Sequence, residues 1–314
     1  MALILGRSEV EGLLDLESAM TALEEVMTEE IEGTTFHMPS WGGGSTKRRT
    51  FRLVGGGLYG MKRMGVRTQA GVQLFDTDTG RLLAIVGAST GDLRTGATMA
   101  LAARYLARPD ARTIGFLGSG RSAPTILQCL VAVRPIASAR VYSPTRAHRE
   151  AFAERETAAL GIPVVAMETA AEAIDGADIV AVATNSRTAV VGYDDVRPGV
   201  HVTSMGYTTE LAEDLYVRAD QFVVPSREQE IEAASPVAHP HIEGTLYLMV
   251  RDGRYDPRTM IELGSIIRGD VAPRNGPHDV TVFRDSRGGV GDVALANWVY
   301  ERARERGLGI EVDL

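Results

Sequence analysis

Apolar residues at Leu13, Leu14, Met20, Leu23, Val26, Met27 and Ile31 recur among acids, a helical period with one wet face over residues 10–32. Gly33 stops it. Residues 34–60 lose that period. They carry glycine runs at 42–44 and 55–57 around the basic cluster Lys47-Arg48-Arg49, and they predict loops flanking one strand over 50–54. Apolar runs at 70–75 and 81–86 flank the turn sequence Asp76-Thr-Asp-Thr-Gly80, which predicts a β-hairpin. Residues 97–106 are rich in Ala, Leu and Met, a helix-forming composition. Pro109-Asp110 ends that helix at an expected domain boundary.

Beyond residue 110 the pattern changes. Short apolar runs at 113–117, 139–142, 164–166, 179–183, 201–204 and 221–224 read as strands, with helical segments between the first four. The alternation predicts an α/β fold, a mostly parallel sheet with helices on both faces. Residues 290–311 predict a final amphipathic helix ending near Gly307 and Gly309.

Composition narrows the function. The 314 residues are 44% hydrophobic and 24% charged, which suits a soluble globular chain of one large or two ordinary domains. Acids outnumber bases 41 to 33, so a nucleic-acid partner is not expected. No run approaches membrane-spanning length, and the opening MALILGRSEVEG is a poor signal peptide, so the expected location is the cytoplasm. A single cysteine, Cys129, excludes a disulfide framework within the chain. The six histidines, 37, 148, 201, 239, 241 and 278, are scattered and no HExxH occurs, so no metal site is expected.

The strongest local signal is Gly118-Ser119-Gly120-Arg121-Ser122-Ala123, a G-x-G-x-x-A pattern directly after an apolar strand and before a helical run. Gly118 makes the tight turn, Gly120 lets backbone approach a pyrophosphate, and Ala123 lets helix and strand pack closely. The helix N-terminus then offers free N–H groups to the anion. An NAD site usually carries an acid after the second strand, for the ribose hydroxyl. Here that position is Ser143, followed by Thr145 and Arg146. Hydroxyls beside a guanidinium suit a 2′-phosphate, so NADP(H) is the expected cofactor, with NAD(H) as the alternative.

A second cluster lies upstream. Lys62 sits in Gly60-Met-Lys62-Arg63, and Asp92-Leu-Arg94-Thr95-Gly-Ala97 opens a helix. An arginine is unfavourable at a helix start. Either Arg94 pairs with an acid such as Asp92 or it grips a carboxylate with its planar fork. Lys62 is either a solvated surface lysine or an acid–base group.

Together these residues resemble the ornithine cyclodeaminase/mu-crystallin family along nearly the whole chain. The anchors are Gly60-Met-Lys62, Asp78-Thr-Gly80-Arg-Leu-Leu-Ala84, Leu93-Arg94-Thr95-Gly-Ala97 and the Gly118–Ala123 turn. Further anchors are Gly176-Ala-Asp178-Ile, Ala183-Thr184, Val196-Arg-Pro-Gly199-Val-His201, Glu262-Leu-Gly264 and Thr281-Val-Phe283. The resemblance implies a Rossmann dinucleotide-binding domain over 111–289. It is inserted in an α+β substrate-binding and dimerisation domain over 1–110 plus 290–314, with the cofactor between them and a homodimer as the assembly. It implies that Arg94 holds a substrate carboxylate, that Lys62 polarises an imine or carbonyl or delivers a proton, and that Thr95, Ala183, Thr184, Met205 and Gly206 join the cofactor site.

Two departures from the family pattern bear on the reaction. Where true cyclodeaminases carry an Asp after the fifth Rossmann strand, this chain has a shortened Ser204-Met-Gly-Tyr207-Thr208-Thr-Glu-Leu211, and the matching position falls at Thr208. A hydroxyl there favours reduction over deamination. The N-terminal strand Thr34-Thr-Phe-His37-Met-Pro39 lacks the further substrate arginine of many members, which leaves Arg49 or Arg52 as substitutes. The expected activity is NAD(P)H-dependent reduction of a small α-imino or α-keto acid to an amino acid. Candidate substrates are a cyclic ketimine such as pyrroline-2-carboxylate, an open imine such as iminosuccinate, or pyruvate with ammonia. The alternatives are an ornithine cyclodeaminase-type lyase using NAD catalytically, and an NADPH-gated binding protein without turnover.

Overall fold

The computed structural model describes residues 1–46, 49–68, 70–87, 90–234, 244–285 and 288–313, with the backbone alone considered at 39–46 and 49–52. The chain divides into two compact units, Met1–Ala97 with Arg287–Leu314, and Thr98–Ser286. The division falls within a helix and not at Pro109-Asp110.

In the first unit β1 (Ala2–Leu5) leads into α1 (Arg7–Leu13) and α2 (Leu16–Ile31). The single helix expected over 10–32 is therefore two. Asp15 leaves the helical path and caps α2: its carboxylate accepts the Ser18 N–H at 2.8 Å, and Ser18 Oγ accepts the Asp15 N–H at 3.1 Å. Next come β2 (Thr35–Thr46), β3 (Arg49–Leu58), β4 (Arg63–Thr68), β5 (Gly71–Asp76) and β6 (Leu82–Val86). β5 and β6 form the hairpin read from the pattern, with Phe75 opposite Leu82. The stretch expected as loops is instead the long β2–β3 pair. Its glycines make room for neighbours: a β-carbon on Gly57 falls 1.9 Å from the Phe36 ring across the pair, and one on Gly56 falls 2.7 Å from Val290.

The helix α3 (Gly91–Leu106) carries the chain into the second unit. Carbonyls at its end and just beyond are held by guanidinium groups. Arg134 donates to Ala107 O at 2.9 Å and Arg108 O at 3.1 Å, and Arg274 donates to Leu106 O at 2.6 Å. The strands and helices then alternate as β7 (Thr113–Leu117), α4 (Ala123–Val133), β8 (Ser138–Tyr142), α5 (Arg146–Leu160), β9 (Val164–Ala166), α6 (Ala170–Ile174) and β10 (Ile179–Val182). They continue through β11 (His201–Ser204), α7 (Glu213–Arg218), β12 (Gln221–Val224), α8 (Arg227–Ala234), α9 (Thr245–Arg251), β13 (Ile261–Glu262), α10 (Leu263–Ile267) and β14 (Thr281–Arg284). The sheet order is β13-β12-β14-β11-β10-β7-β8-β9, and every pairing is parallel. Alternate residues of one strand feed opposite cores. Ile179 and Ala181 pack with Phe116, Leu127 and Phe152, while Val180 and Val182 pack with Val202, Leu215 and Leu246. Both faces of the sheet are buried, as in a doubly wound α/β domain. β13 and β14 were not anticipated as strands.

The chain then returns to the first unit as α11 (Gly289–Arg306) and β15 (Ile310–Val312). The helix ends at Arg306, where Gly307 turns left-handed at φ 62°, at the first of the two glycines expected to stop it, and residues 310–312 then pair antiparallel with β1. The first sheet has the order β15-β1-β6-β5-β4-β3-β2. One face buries Val54, Leu58, Val72, Leu74, Ala84 and Val86. Arg63 ties β4 to α11 through Asn297 at 2.8 Å and Glu301 at 2.6 Å, and Arg67 does so through Asp292 at 2.7 Å. Phe36, Met38, Met64, Val66, Phe75 and Ile85 share the opposite face and remain partly or fully exposed.

Candidate functional site

The carboxyl ends of the parallel strands carry one constellation. At the end of β7, Gly118 has φ 118°, and its N–H donates to Tyr142 O at 2.8 Å. A β-carbon there lies 2.2 Å from Ala183 O, so no side chain fits. Gly120 faces open space, with nothing within 4 Å of its missing β-carbon. Ala123, 1% exposed, starts α4, whose first turn has no side-chain cap. A close-packed glycine, an open glycine and an uncapped helix start form a cradle that fits a phosphate. Ser119 Oγ donates to Ser143 Oγ at 2.8 Å and joins the loops after β7 and β8.

Ser143 is buried, and Thr145 precedes α5. Arg121 is exposed. Arg146 is exposed too and pairs with Glu150 at 2.8 Å, a contact that raises its pKa. Sequence reasoning missed Arg149, one helical turn further on. This buried guanidinium donates to Ser143 O at 3.2 Å, pairs with Glu168 at 2.5 Å and lies over the Tyr142 ring. It braces the loop of Ser143 from below. Its only sequence signal, an arginine three residues after another, is that of a solvated helix face.

Ala183 and Thr184 follow β10, and Met205 and Gly206 follow β11. Thr208 opens a short 3₁₀ turn. It is 4% exposed, and its hydroxyl has no hydrogen-bond partner among the described residues. Its carbonyl accepts the Tyr216 hydroxyl at 2.7 Å. Two further residues missed by sequence reasoning lie here. Glu210, 0% exposed, accepts hydroxyls from Thr184 and from Ser204, the latter at 3.3 Å. Arg284, at the end of β14, pairs with buried Glu230 and donates to Gly206 O at 3.2 Å. Burial works against the Arg284 charge, but Glu230, Tyr216 and Glu210 outweigh it and raise its pKa. Burial pushes the Glu230 carboxyl up, with Arg284 opposing. No periodicity or motif marks these two, because an acid in a turn and an arginine ending a strand ordinarily face water.

The first unit carries the other constellation. Lys62, in the turn from β3 to β4, is the only described non-glycine residue with positive φ, at 57°. Its N–H donates to Tyr59 O at 3.1 Å, and its carbonyl accepts the Thr77 N–H at 3.2 Å. The carboxylate of Glu29 accepts the Gly60 N–H at 3.1 Å, and burial raises its pKa. A left-handed backbone at a lysine is strained and persists because its neighbours hold it there. The side chain is 62% exposed, and Nζ sits 2.7 Å from Asp78 at the β5–β6 hairpin tip. The hydrogen bond to Asp78 raises the Lys62 pKa.

Arg94 lies in the first turn of α3, 5% exposed, with its N–H on Thr90 O at 2.8 Å. Its stem passes α11 at Gly291, where a β-carbon falls 3.1 Å from Arg94 Cδ. Thr95 beside it is also buried. His37 is engaged by Glu30 at 2.8 Å and Tyr59 is exposed. The side chains of Arg49 and Arg52, together with His239 and His241, lie outside the described residues. Among the described residues no three His, Cys, Asp or Glu converge as metal ligands, and no helix is long and apolar enough to cross a membrane.

Comparison with known proteins agrees on one kinship. The profile described as the ornithine cyclodeaminase/mu-crystallin family matches residues 7–307. A Delta(1)-pyrroline-2-carboxylate reductase from Bacillus cereus is 33% identical over 259 residues, covering 80% of this chain and 77% of that one. The structure of the Thermococcus litoralis Delta(1)-pyrroline-2-carboxylate reductase, in complex with NADH and L-proline, superposes with a TM-score of 0.84 at 27% identity. It covers 99% of this chain and 100% of that one. An archaeal alanine dehydrogenase dimer with bound NAD superposes with a TM-score of 0.83 at 26% identity, covering 100% of this chain and 99% of that one.

Proposed function

This chain belongs to the ornithine cyclodeaminase/mu-crystallin family, and on that premise we propose that it is an NAD(P)H-dependent reductase of a small α-imino or α-keto acid, forming the amino acid. A cyclic ketimine of the pyrroline-2-carboxylate type is the leading substrate. The observation that carries the proposal is the turn at Gly118 and Gly120, shaped for a dinucleotide phosphate, in a chain whose relatives include reductases of that imine.

When bound, the reduced nicotinamide would supply the hydride to the C=N carbon, either of the imino acid itself or of the imine that a keto acid forms with ammonia on loss of water. The remaining work falls to this chain's own residues. Gly118, Ser119, Gly120, Arg121, Ser122 and Ala123 bind the diphosphate at the start of α4. Ser143, Thr145 and Arg146 take the 2′-phosphate, which makes NADPH the preferred form. The Arg146–Glu150 pair is exposed and weak enough to yield to a phosphate. Ala183, Thr184, Met205 and Gly206 hold the nicotinamide end, and Thr95 joins the cofactor site. Arg94 binds the substrate carboxylate through its planar fork. Lys62, kept as an ammonium by Asp78, delivers the proton to the imine nitrogen. Thr208 offers a neutral hydroxyl. That supports reduction over cyclodeamination, in which a charged acid–base group must handle the departing amine. The partly exposed apolar face of the first sheet supports a homodimer, which sedimentation at micromolar concentration tests against a single 33.7 kDa species.

Absorbance of the reduced cofactor during incubation with pyrroline-2-carboxylate, iminosuccinate, pyruvate with ammonia, and ornithine decides the reaction. Oxidation with an imino or keto acid is expected. Ammonia released from ornithine without net cofactor change overturns the proposal in favour of a lyase. Ligand affinity without turnover overturns it in favour of a binding protein. Lys62→Met is expected to lower kcat by roughly 10²–10⁴-fold, the contribution of a positioned acid. Arg94→Lys chiefly raises the substrate KM.

A further inference from the structure

The loop after β11 rests on a buried polar floor. Gly206 O accepts Arg284 Nη1 at 3.2 Å, Thr208 O accepts the Tyr216 hydroxyl at 2.7 Å, and Arg284 in turn pairs with Glu230. Glu210 is the member of this floor that meets both β10 and β11. Its carboxylate is 0% exposed and accepts the hydroxyls of Thr184, after β10, and Ser204, at the end of β11. It also lies directly under Gly206, where a β-carbon comes within 1.9 Å of the carboxylate. One acid thus spans two neighbouring strand ends and the glycine between them.

Burying a carboxylate is costly unless it is hydrogen-bonded, so its placement fixes its donors as firmly as they fix it. In an open parallel sheet, ligands bind outside the carboxyl ends of the strands. A dinucleotide spreads its two halves over the two halves of the sheet. The phosphate turn and Ser143 belong to β7 and β8, whereas Thr184, Gly206 and Thr208 belong to β10 and β11. We propose that Glu210 is a positioning residue that sets the Thr184 hydroxyl and the 205–208 loop for the nicotinamide half of the cofactor, leaving the adenosine half untouched. This rests on the reductase reading above. It adds that one buried acid controls one half of the site.

Glu210→Gln keeps the size of the side chain but removes its charge and its double acceptance of hydroxyls. Binding is measured for NADPH, NADH and the truncated ligand 2′-phospho-ADP-ribose, which lacks the nicotinamide. Both reduced dinucleotides should lose about tenfold in affinity, the worth of one well-placed hydrogen bond. The truncated ligand should stay within about twofold. Thr184→Val should weaken the dinucleotides in the same direction, and the double variant should lose no more than the worse single one, because both act through one contact. A loss shared equally by the truncated ligand marks a merely structural acid and overturns the proposal. So do unchanged dinucleotide affinities or an additive double variant. If Glu210→Gln does not fold, Thr184→Val with the truncated ligand carries the same comparison. Wild-type protein that binds neither ligand type overturns the reductase reading itself.

Discussion

His201 begins β11 with its side chain wholly buried, Nδ1 at 3.0 Å from Thr281 Oγ1 and the Arg274 and Arg134 cations nearby. Burial first, then these cations, push its pKa from 6.5 down to about 3. The native state therefore keeps this imidazole neutral, while the unfolded chain takes up a proton below pH 6.5. The unfolded state binds more protons across that window, so stability rises with pH there. His201 contributes its full share above pH 6.5 and loses it as pH falls toward 3. From pH 7 to pH 5 the two pKa values give a loss of about 2 kcal/mol, against a ceiling of about 2.7 kcal/mol for one full proton over two units. The result depends little on the lower pKa, because at pH 5 the native imidazole is unprotonated whether it titrates near 3 or a unit higher. Replacing His201 with Gln keeps a polar group for Thr281 and removes the titration. Urea unfolding of both proteins at equal protein concentration and without cofactor, at pH 7, 6 and 5, isolates the difference. The wild-type curve should fall more steeply than that of His201→Gln by about 2 kcal/mol over this range. Parallel curves, or an imidazole NMR signal that titrates near 6.5, refute the reasoning.

Gly118→Ala should cost on the order of 2–3 kcal/mol, since the new methyl meets Ala183 O at a backbone angle alanine avoids. A lowered Tm with loss of cofactor binding checks it, and an unchanged titration counts against the turn. Asp78→Asn removes the carboxylate that raises the Lys62 pKa, so the alkaline limb of the kcat–pH profile should move to lower pH. An unmoved limb detaches Asp78 from the chemistry. Ser143→Asp should weaken NADPH by several-fold to about a hundredfold through like-charge repulsion, equivalent to roughly 1–3 kcal/mol. A wild type that prefers NADH in competition titrations contradicts the assignment of this loop.

Six strands of the second unit were legible in the chain itself. Strands buried on both faces are continuous apolar runs bounded by turn residues, and no distant partner is needed to see them. The tight turn at Gly118 was readable for the same reason, since its geometry is local. The β5–β6 hairpin followed from its Asp/Thr/Gly turn. Where a residue's role depends on partners far away in the chain, the pattern was silent or misleading. The glycine run at 55–57 looked like a loop, yet it lies in a strand, where Phe36 and Val290 occupy the space of the missing side chains of Gly57 and Gly56. The end of α11 at Gly307 was legible from its glycine, but the strand at 310–312 was not, because its partner β1 lies at the other end of the chain. β13 and β14 are too short or too polar to declare themselves, and neighbouring strands hold them. Nothing in the sequence marks Glu210, Glu230 and Arg284 as buried, and only the convergence of β10, β11, β14 and α8 brings them together. Lys62 shows the same limit in reverse. Its place in the Gly-Met-Lys motif was plain, but its left-handed backbone and its outward pairing with Asp78 come from the turn and the hairpin that meet there. Short-range sterics and hydrophobic period are written in consecutive residues, whereas burial of charge depends on which strands end up side by side.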